Sequence, residues 1–257
     1  DVNPGQLRFG FPTSEYGTVA LRYNYKIYDI QPSANAPLEV RLAAGSTTTS
    51  SIGYTFSYNT LDDYVKPTKG LAFSFSQDFA GFGGSLKYLR TEEQFTAYKK
   101  VLWDQFVGSL ALNSGYITGY SATKLPINER FFKGGDSFRG FNLAGIGPRD
   151  ISAGKDVGAL GGDVYIIGTA QLRLPNFLPD DYGLNFSLFS DFGTLGSLDN
   201  KQELCTYAGY AVGTDCPIRD NLAIRASAGL SIGWKSPFGP IQVDLGIPIL
   251  KNDYDRQ

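Results

Sequence analysis

The sequence contains no histidine and no methionine, and only two of its 257 residues are cysteines. Without histidine, the chain lacks the commonest metal ligand and the usual general base near neutral pH. A Ser-His catalytic pair is therefore excluded. Chemistry based on paired acidic residues is not excluded, but no group of residues suggests it. We expect neither an enzyme nor a bound metal or cofactor.

Long apolar runs are also missing. No stretch approaches the about 18 consecutive apolar residues that indicate a membrane-spanning helix. This does not exclude the strands of a membrane β-barrel, whose hydropathy signal is much weaker. The net charge of −2 leaves no basic excess to neutralise phosphates, so we do not expect nucleic-acid binding. Since the chain has no initiator methionine, we expect a processed chain or an excerpt of a longer one.

The two cysteines, Cys205 and Cys216, lie in a polar stretch rich in Gly, Asp and Thr. In an exported protein, such a pair indicates a disulfide bond across a short loop. Two free thiols in that loop are the alternative.

Apolar and polar residues alternate along much of the chain, which is typical of β-strands with one apolar face. The pattern predicts an all-β fold without long helices. The clearest alternation runs over 222–234 and again over 241–249. In total we predict ten strands, at 5–11, 19–27, 52–58, 70–79, 85–99, 104–118, 163–174, 184–191, 222–234 and 241–249.

Two architectures fit alternating strands: a soluble sandwich, which buries its apolar faces, and a membrane barrel, which turns them to lipid. The polar faces carry charges that suit a wet barrel lumen, namely Arg22, Lys26, Arg173, Arg225 and Asp244. Connection lengths also alternate, as in outer-membrane barrels. Short connections are predicted at 12–16, 100–103, 176–182 and 235–240, a middling one at 60–69, and long ones at 29–48, 119–162 and 193–220. The short link at 80–84 is an exception, because it must lie at the end of the barrel that otherwise carries the long loops. The pattern favours the barrel.

The connection 119–162 is too long for a plain hairpin loop, and loops of that length are usually functional or disordered. It carries a dense run of arginine, phenylalanine and glycine. The residues that define this motif are Arg130, Phe131, Phe132, Gly134, Gly135, Phe138, Arg139, Gly140 and Phe141.

This motif resembles the lumen loop of the Omp85 superfamily, the BamA-type outer-membrane insertases and translocation pores. The resemblance covers essentially the whole chain, and the details look closest to alphaproteobacterial members. Further segments are similar to the family in the same order, at 58–63, 67–70, 190–194, 236–241 and 245–248. The resemblance implies a transmembrane antiparallel β-barrel with the loop 119–162 folded into its lumen.

In the family, the loop arginine contacts acidic residues on the inner wall. The matching positions here are Asp191 and Gln171, and both are predicted to point inward. Arg139 brings a rigid guanidinium into a partly dehydrated lumen, where it needs a carboxylate. We therefore expect an ion pair between Arg139 and Asp191. Relatives often have glutamate at the second position, so Gln171 should offer an ordinary hydrogen bond.

The family barrel has 16 strands, and the ten predicted here would correspond to the sixth through fifteenth. We expect residues 1–257 to be part of a C-terminal barrel domain, without POTRA modules, early strands and the last strand. The resemblance implies non-enzymatic assembly of client proteins into the outer membrane of a Gram-negative bacterium, with accessory lipoproteins and membrane lipids as partners. A polypeptide-translocating pore of the same superfamily and a passive diffusion porin are the alternatives.

Overall fold

A computed structural model describes residues 2–32, 38–102, 105–152, 158–175, 179, 182–211, 216–236 and 238–257. The strands of the main sheet are β1 (Val2–Pro12), β2 (Gly17–Ile30), β3 (Gly45–Asn59), β4 (Gly70–Ala80), β5 (Tyr88–Val101), β6 (Phe106–Gly119), β8 (Val164–Arg173), β9 (Leu184–Gly196), β11 (Arg225–Ser236) and β12 (Gly239–Leu250). Two short strands, β7 (Arg149–Asp150) and β10 (Ile218–Arg219), pair separately. The helical elements are α1 (Leu38–Leu42), α2 (Lys201–Tyr207) and the 3-10 turn η1 (Ile127–Glu129).

The ten long strands form one antiparallel sheet in chain order, β1-β2-β3-β4-β5-β6-β8-β9-β11-β12. The prediction of an all-β fold with ten strands is confirmed. β6 pairs directly with β8, from Val107 opposite Arg173 to Tyr116 opposite Val164. The long connection between these two strands is thus an insertion at one end of the sheet and does not interrupt it.

The apolar face of this sheet is exposed, whereas part of the polar face is covered. On β12, Leu245 and Ile247 are 61% and 69% exposed, whereas Arg225 on the neighbouring β11 is fully buried. A soluble sandwich would show the opposite arrangement, because it buries its apolar faces. Outward apolar residues and an inward polar face are what a transmembrane barrel requires.

Charged residues on the inner face are paired across strands. Arg22 on β2 donates to both carboxylate oxygens of Asp78 on β4, at 2.8 and 2.6 Å. Gly53 on β3 lies between them in the register. A Cβ at this glycine would come within 2.0 Å of the Asp78 carboxylate. The glycine therefore leaves room for an ion pair that spans three strands.

Several predicted boundaries were wrong. β3 begins at Gly45 rather than at 52, because the serines and threonines before Ile52 hide the alternation. β5 begins at Tyr88 rather than at 85, and β9 continues to Gly196, well beyond the predicted end. Leu222 and Ile224 continue the alternation of β11 in the sequence, but they precede the strand. Parts of the predicted segments 29–48, 100–103, 104–118, 119–162, 176–182, 193–220 and 235–240 lie outside the described residues.

Successive connections lie at opposite ends of the sheet, because its strands are antiparallel and in chain order. One end carries the longer connections after β2, β6 and β9, which contain α1, η1, α2 and the β7–β10 pair. The link after β4 also lies there, as predicted for 80–84. Among the described residues, no helix is long and apolar enough to cross a membrane.

Candidate functional site in the lumen loop

The connection after β6, which we call the lumen loop (120–163), folds back against the inner face of the sheet. Its two limbs are joined by a bridge in which Phe131 and Gly162 exchange backbone hydrogen bonds of 3.0 and 2.9 Å. A second bridge pairs Lys133 with Ile146. Paired backbone groups satisfy the polar atoms of a segment that is largely removed from water. The motif is thus an ordered structure.

The paired glycines form the turn that leads to the tip of this loop. Gly134 and Gly135 have φ angles of 133° and 58°, which non-glycine residues rarely adopt. The Ser137 hydroxyl donates to the Gly134 carbonyl at 2.8 Å and accepts from the Gly134 amide at 3.0 Å. A Cβ at Gly134 would lie 2.1 Å from the backbone oxygen of Asn142. Only glycine fits at that position.

At the tip, Arg139 contacts Asp191 on β9. Its Nε and Nη2 atoms donate to the two carboxylate oxygens at 2.9 and 2.7 Å, and its backbone amide donates at 3.0 Å. Thr169 on β8 donates a further hydrogen bond to the carboxylate at 2.8 Å. The guanidinium lies 3.5 Å from the centre of the Phe189 ring. A two-point contact between arginine and carboxylate is both strong and directional.

The expected hydrogen bond between Arg139 and Gln171 was wrong. Gln171 lines the same cavity, but within the described residues no hydrogen bond joins it to Arg139. The third guanidinium nitrogen, Nη1, lies instead 3.8 Å from Asp244 on β12. Asp191 already occupies Nε and Nη2, so the remaining nitrogen faces a different strand. Asp244 supplies the second negative charge near Arg139.

Gly140 brings the tip of the loop against β11 and β12. Its φ is 86°, and an added Cβ would lie 3.1 Å from the Ser227 side chain and 3.3 Å from the Ile247 backbone. The close approach is mutual, because a Cβ at Gly246 would lie 2.9 Å from the Gly140 amide nitrogen. The tip therefore contacts β11 and β12 as well as Asp191 on β9.

The motif phenylalanines divide into buried and exposed residues. Phe138 and Phe141 are buried and pack edge to face with centroids 5.3 Å apart, and Phe131 packs similarly on Tyr165 at 4.8 Å. Phe132 is 40% exposed and does not belong to this cluster. The buried cluster as a whole comprises Ala80, Leu86, Tyr88, Ile117, Leu125, Phe131, Phe138, Phe141, Ile146, Tyr165, Ile167 and Leu195. It fixes the loop to the wall by packing.

Arg130 joins three connections at the end of the sheet. Its side chain is fully buried, and Nη2 lies 3.0 Å from Glu39 in α1 and 2.8 Å from the Asn200 amide oxygen before α2. It also donates to the backbone oxygens of Leu125 and Leu160, at 3.1 and 3.2 Å. A buried guanidinium needs such partners, since an unpaired charge there would be very costly. We call this arrangement the Arg130 hub.

Burial affects the acidic groups around the hub. It raises the pKa of Glu39, although Arg130 and Asn200 act in the opposite direction. It also raises the pKa of Asp163 to about 6, partly offset by the hydrogen bond that Asp163 accepts from the Asp199 amide at 3.0 Å. The Asp163 carboxylate lies 3.7 Å from Arg130 Nε, which is too long for a hydrogen bond. Asp163 is therefore an incompletely compensated buried acid.

The structure places Cys205 and Cys216 in a disulfide bond. Cys205 lies in α2, and Cys216 lies just before β10. Both cysteines are buried in a second apolar cluster together with Leu160 of the lumen loop, Leu198, Leu204 and Ile218. The disulfide thus ties the connection 197–224 together at the point where it packs on the lumen loop. In the described part of the chain, no group of His, Cys, Asp or Glu side chains could hold a metal ion.

A sequence model for the Omp85 superfamily domain matches residues 4–257. The chain belongs to the Omp85 superfamily. It is 33% identical over 231 residues to the outer membrane protein assembly factor BamA of Neorickettsia risticii, covering 90% of this chain and 29% of that protein. It is 30% identical to BamA of Nitratidesulfovibrio vulgaris, covering 95% and 28%. It thus spans under a third of the length of these Omp85 relatives.

More distant Omp85 proteins also match. A SAM50-like protein of Schizosaccharomyces pombe is 28% identical, over 84% of this chain and 44% of that protein. Among solved structures, BamA from Haemophilus ducreyi lacking POTRA domains 1–3 superposes with a TM-score of 0.79 at 22% identity, covering 99% of this chain and 52% of that chain. This likeness confirms the barrel fold.

The Omp85 motif identified the loop but not all of its contacts. The structure brings Arg139 and Asp191 together, and it leaves Gln171 nearby without a bond to Arg139. Glu39 and Asn200, the partners of Arg130, were missed. These two residues lie in separate connections with no periodic pattern. The only available signal was an arginine in an apolar motif, which implies a partner without identifying it.

Proposed function

We propose that this protein assembles client β-barrel proteins and inserts them into the outer membrane of a Gram-negative bacterium, without catalysis and without a cofactor. The names of its relatives support this function, since they include outer membrane protein assembly factors and a sorting and assembly machinery subunit. Client outer-membrane proteins, accessory lipoproteins and membrane lipids would then be its partners. No nucleic acid is involved.

The observation that carries the proposal is the contact of the lumen loop with the wall through Arg139 and Asp191. The contact consumes both carboxylate oxygens and lies away from bulk water, so it suits a brace and not a reacting centre. In this role Arg139 and Asp191 position the loop, and the loop in turn supports β9, β11 and β12.

The two alternatives have less support. A polypeptide-translocating pore would share the fold and the loop, but the two BamA relatives named above are outer membrane protein assembly factors. A passive diffusion porin needs an open lumen, whereas here the loop packs on the inner wall with a buried apolar cluster. A high steady conductance of the complete protein in planar bilayers would favour the porin.

The test is client folding in liposomes that contain the complete protein. A heat-modifiable client barrel should fold faster with the wild-type protein than in empty liposomes. The variant Asp191→Ala leaves Arg139 without its main partner, and removing one member of a buried pair costs about 3–5 kcal/mol. We expect client folding to slow by about tenfold or more, which requires only part of this free energy to reach the client's folding step, since about 1.4 kcal/mol corresponds to tenfold. Glu15→Ala, which removes an exposed carboxylate from a short turn, is the control.

No acceleration by the wild-type protein would contradict the assembly function itself. Acceleration that is equal for wild type and Asp191→Ala would preserve that function and contradict the role of the brace. The two results are distinguishable because the first concerns empty liposomes and the second concerns the variant.

A further inference from the structure

The first limb of the lumen loop contacts a part of the wall that Arg139 does not reach. Glu129 in η1 is 2% exposed, and its carboxylate accepts a hydrogen bond from the Thr49 hydroxyl on β3 at 3.5 Å. Tyr88 on β5 and Lys26 on β2 also lie near this carboxylate. Buried carboxylates are rare without such partners. The limb thus has a polar contact of its own with the wall.

Arg90 on β5 holds the same limb through two different groups. Its Nη1 atom donates to the backbone oxygen of Glu129 at 3.2 Å, and its guanidinium lies 4.4 Å from the centre of the Phe131 ring. Its Nε donates to Glu92 at 2.7 Å, which orients the guanidinium. A cation over an aromatic face is attractive, and more so when it is dehydrated. Arg90 therefore binds both the backbone and the side chains of the limb.

Phe131 is in turn seated against β8. It packs on Tyr165, and the Lys133 ammonium lies 3.8 Å from the centre of the same ring. Gly115 on β6 makes this possible, because a Cβ there would lie 2.2 Å from the Tyr165 ring and 3.0 Å from the Phe131 ring. The wall is thus shaped to receive the limb.

We propose that Glu129 is a second anchor of the lumen loop, so that the loop is a strut between two separate parts of the barrel wall. β3 is third and β9 is eighth in the order of the sheet, and the two anchors attach the loop to these strands. A segment fixed at one end can pivot, whereas a segment fixed at both ends holds the two walls at a set distance. Glu129 is a positioning residue that acts on Arg139 through the loop. This role does not depend on the proposed assembly function.

The test is hydrogen exchange of backbone amides in the complete protein. Glu129→Ala should speed exchange at Phe131 and Gly162, whose amides pair the two limbs, by about tenfold, because the buried Thr49 hydroxyl then loses its acceptor. If the loop is a strut, exchange should also rise at the Arg139 amide, which donates to Asp191 in the other anchor. Glu15→Ala should change none of these amides.

Conservative variants separate anchoring from general destabilisation. Glu129→Gln keeps an oxygen that accepts from Thr49, so it should restore most of the protection at Arg139. Thr49→Val removes the donor without changing the shape of the side chain, and it serves if Glu129→Ala does not fold. Unchanged exchange at Phe131 in Glu129→Ala and Thr49→Val would show that Glu129 is no anchor. Faster exchange at Phe131 with unchanged exchange at Arg139 would overturn the strut.

Discussion

Arg225 and Asp255 form an ion pair in which both side chains are fully buried, with Nε and Oδ2 3.1 Å apart. Arg225 begins β11, and Asp255 lies in the segment that follows β12. That segment also pairs with the lumen loop, since the Arg256 oxygen accepts from the Asn142 amide at 3.0 Å and the Arg256 amide donates to the Gly145 oxygen at 2.9 Å. The ion pair therefore holds the segment 252–256 where it covers the loop.

Replacing Asp255 should release this segment. In Asp255→Ala the buried guanidinium of Arg225 loses its carboxylate, which costs about 3–5 kcal/mol in comparable cases. We expect protease cleavage near Arg256 and faster hydrogen exchange at Asn142. Asp253→Ala removes an exposed carboxylate two positions earlier and should leave both unchanged. Equal protection in the two variants would mean that the backbone pairs alone hold the segment.

Two glycines of the motif allow steric clash to be separated from backbone strain. Gly140→Ala adds a methyl group 3.1 Å from the Ser227 side chain at a φ of 86°, whereas Gly135→Ala at 58° meets nothing closer than 3.7 Å. Strain of this kind costs about 1–3 kcal/mol. We expect both variants to weaken the loop and Gly140→Ala to weaken it more. The measurement is exchange at the Arg139 amide.

The control for this pair is Gly108→Ala on β6, where the added methyl group has ordinary contacts of 3.8 Å or more. It should leave the loop unchanged. If Gly135→Ala weakened the loop as much as Gly140→Ala, the contact with β11 and β12 would contribute nothing beyond strain.

The sequence predicted the sheet well because alternation is a local property. Each strand reveals its apolar face without reference to its neighbours, so all ten were found. The predicted strand boundaries were wrong where a strand lacks apolar alternation or where the alternation continues beyond the strand. Ser46–Ser51 pair with β2 as part of β3 although they show no apolar alternation, and Ile224 alternates although it lies outside β11.

The candidate site could be predicted only where the family motif fixed both partners. Arg139 and Asp191 match motif positions and are in contact. Arg130 also matches the motif, but its partners Glu39 and Asn200 depend on how three connections fold together. Such contacts have no periodicity and no fixed spacing. Nothing in a single sequence indicates them.

The stability of the Arg130 hub should depend on pH through Asp163. Its pKa in the folded protein is raised from 3.8 to about 6, mainly by burial. The folded state therefore binds the proton more tightly than the unfolded state, so this contribution is fully present below about pH 4 and is lost as the pH rises to about 6. Burial also raises the pKa of Glu39, so the contribution of Glu39 to stability has the same sign.

The measurement is exchange at the Asp199 amide, which donates to Asp163, corrected for the intrinsic pH dependence of exchange. We expect protection to fall between about pH 4 and pH 6 and to stay level above that range. Asp163→Asn keeps an oxygen acceptor and removes the ionisation, so its profile should be flatter. A profile of the wild type that rises over this interval would show that the attraction of Arg130 outweighs the cost of burial.

Glu93 on β5 is an exposed acidic residue on the outward, apolar face of the sheet. It shares this face with Leu89 and Phe95 on its own strand, and its carboxylate accepts a hydrogen bond from Ser114 on β6 at 3.0 Å. A lipid-facing charge destabilises a barrel, by about 2–4 kcal/mol for a basic residue at the middle of the bilayer and by less for an acidic one. We expect Glu93→Leu to raise the free energy of unfolding by about 1–2 kcal/mol.

The adjacent residue should respond in the opposite direction. Glu92 points into the lumen and accepts from Arg90 at 2.7 Å, so Glu92→Leu removes the partner that orients that guanidinium. We expect Glu92→Leu to lower the free energy of unfolding, measured by urea titration of the complete protein in lipid vesicles. The two substitutions should change the free energy of unfolding in opposite directions, because Glu93 faces lipid and Glu92 faces the polar lumen. Destabilisation by Glu93→Leu would mean that the hydrogen bond from Ser114 outweighs the cost of a charge that faces lipid.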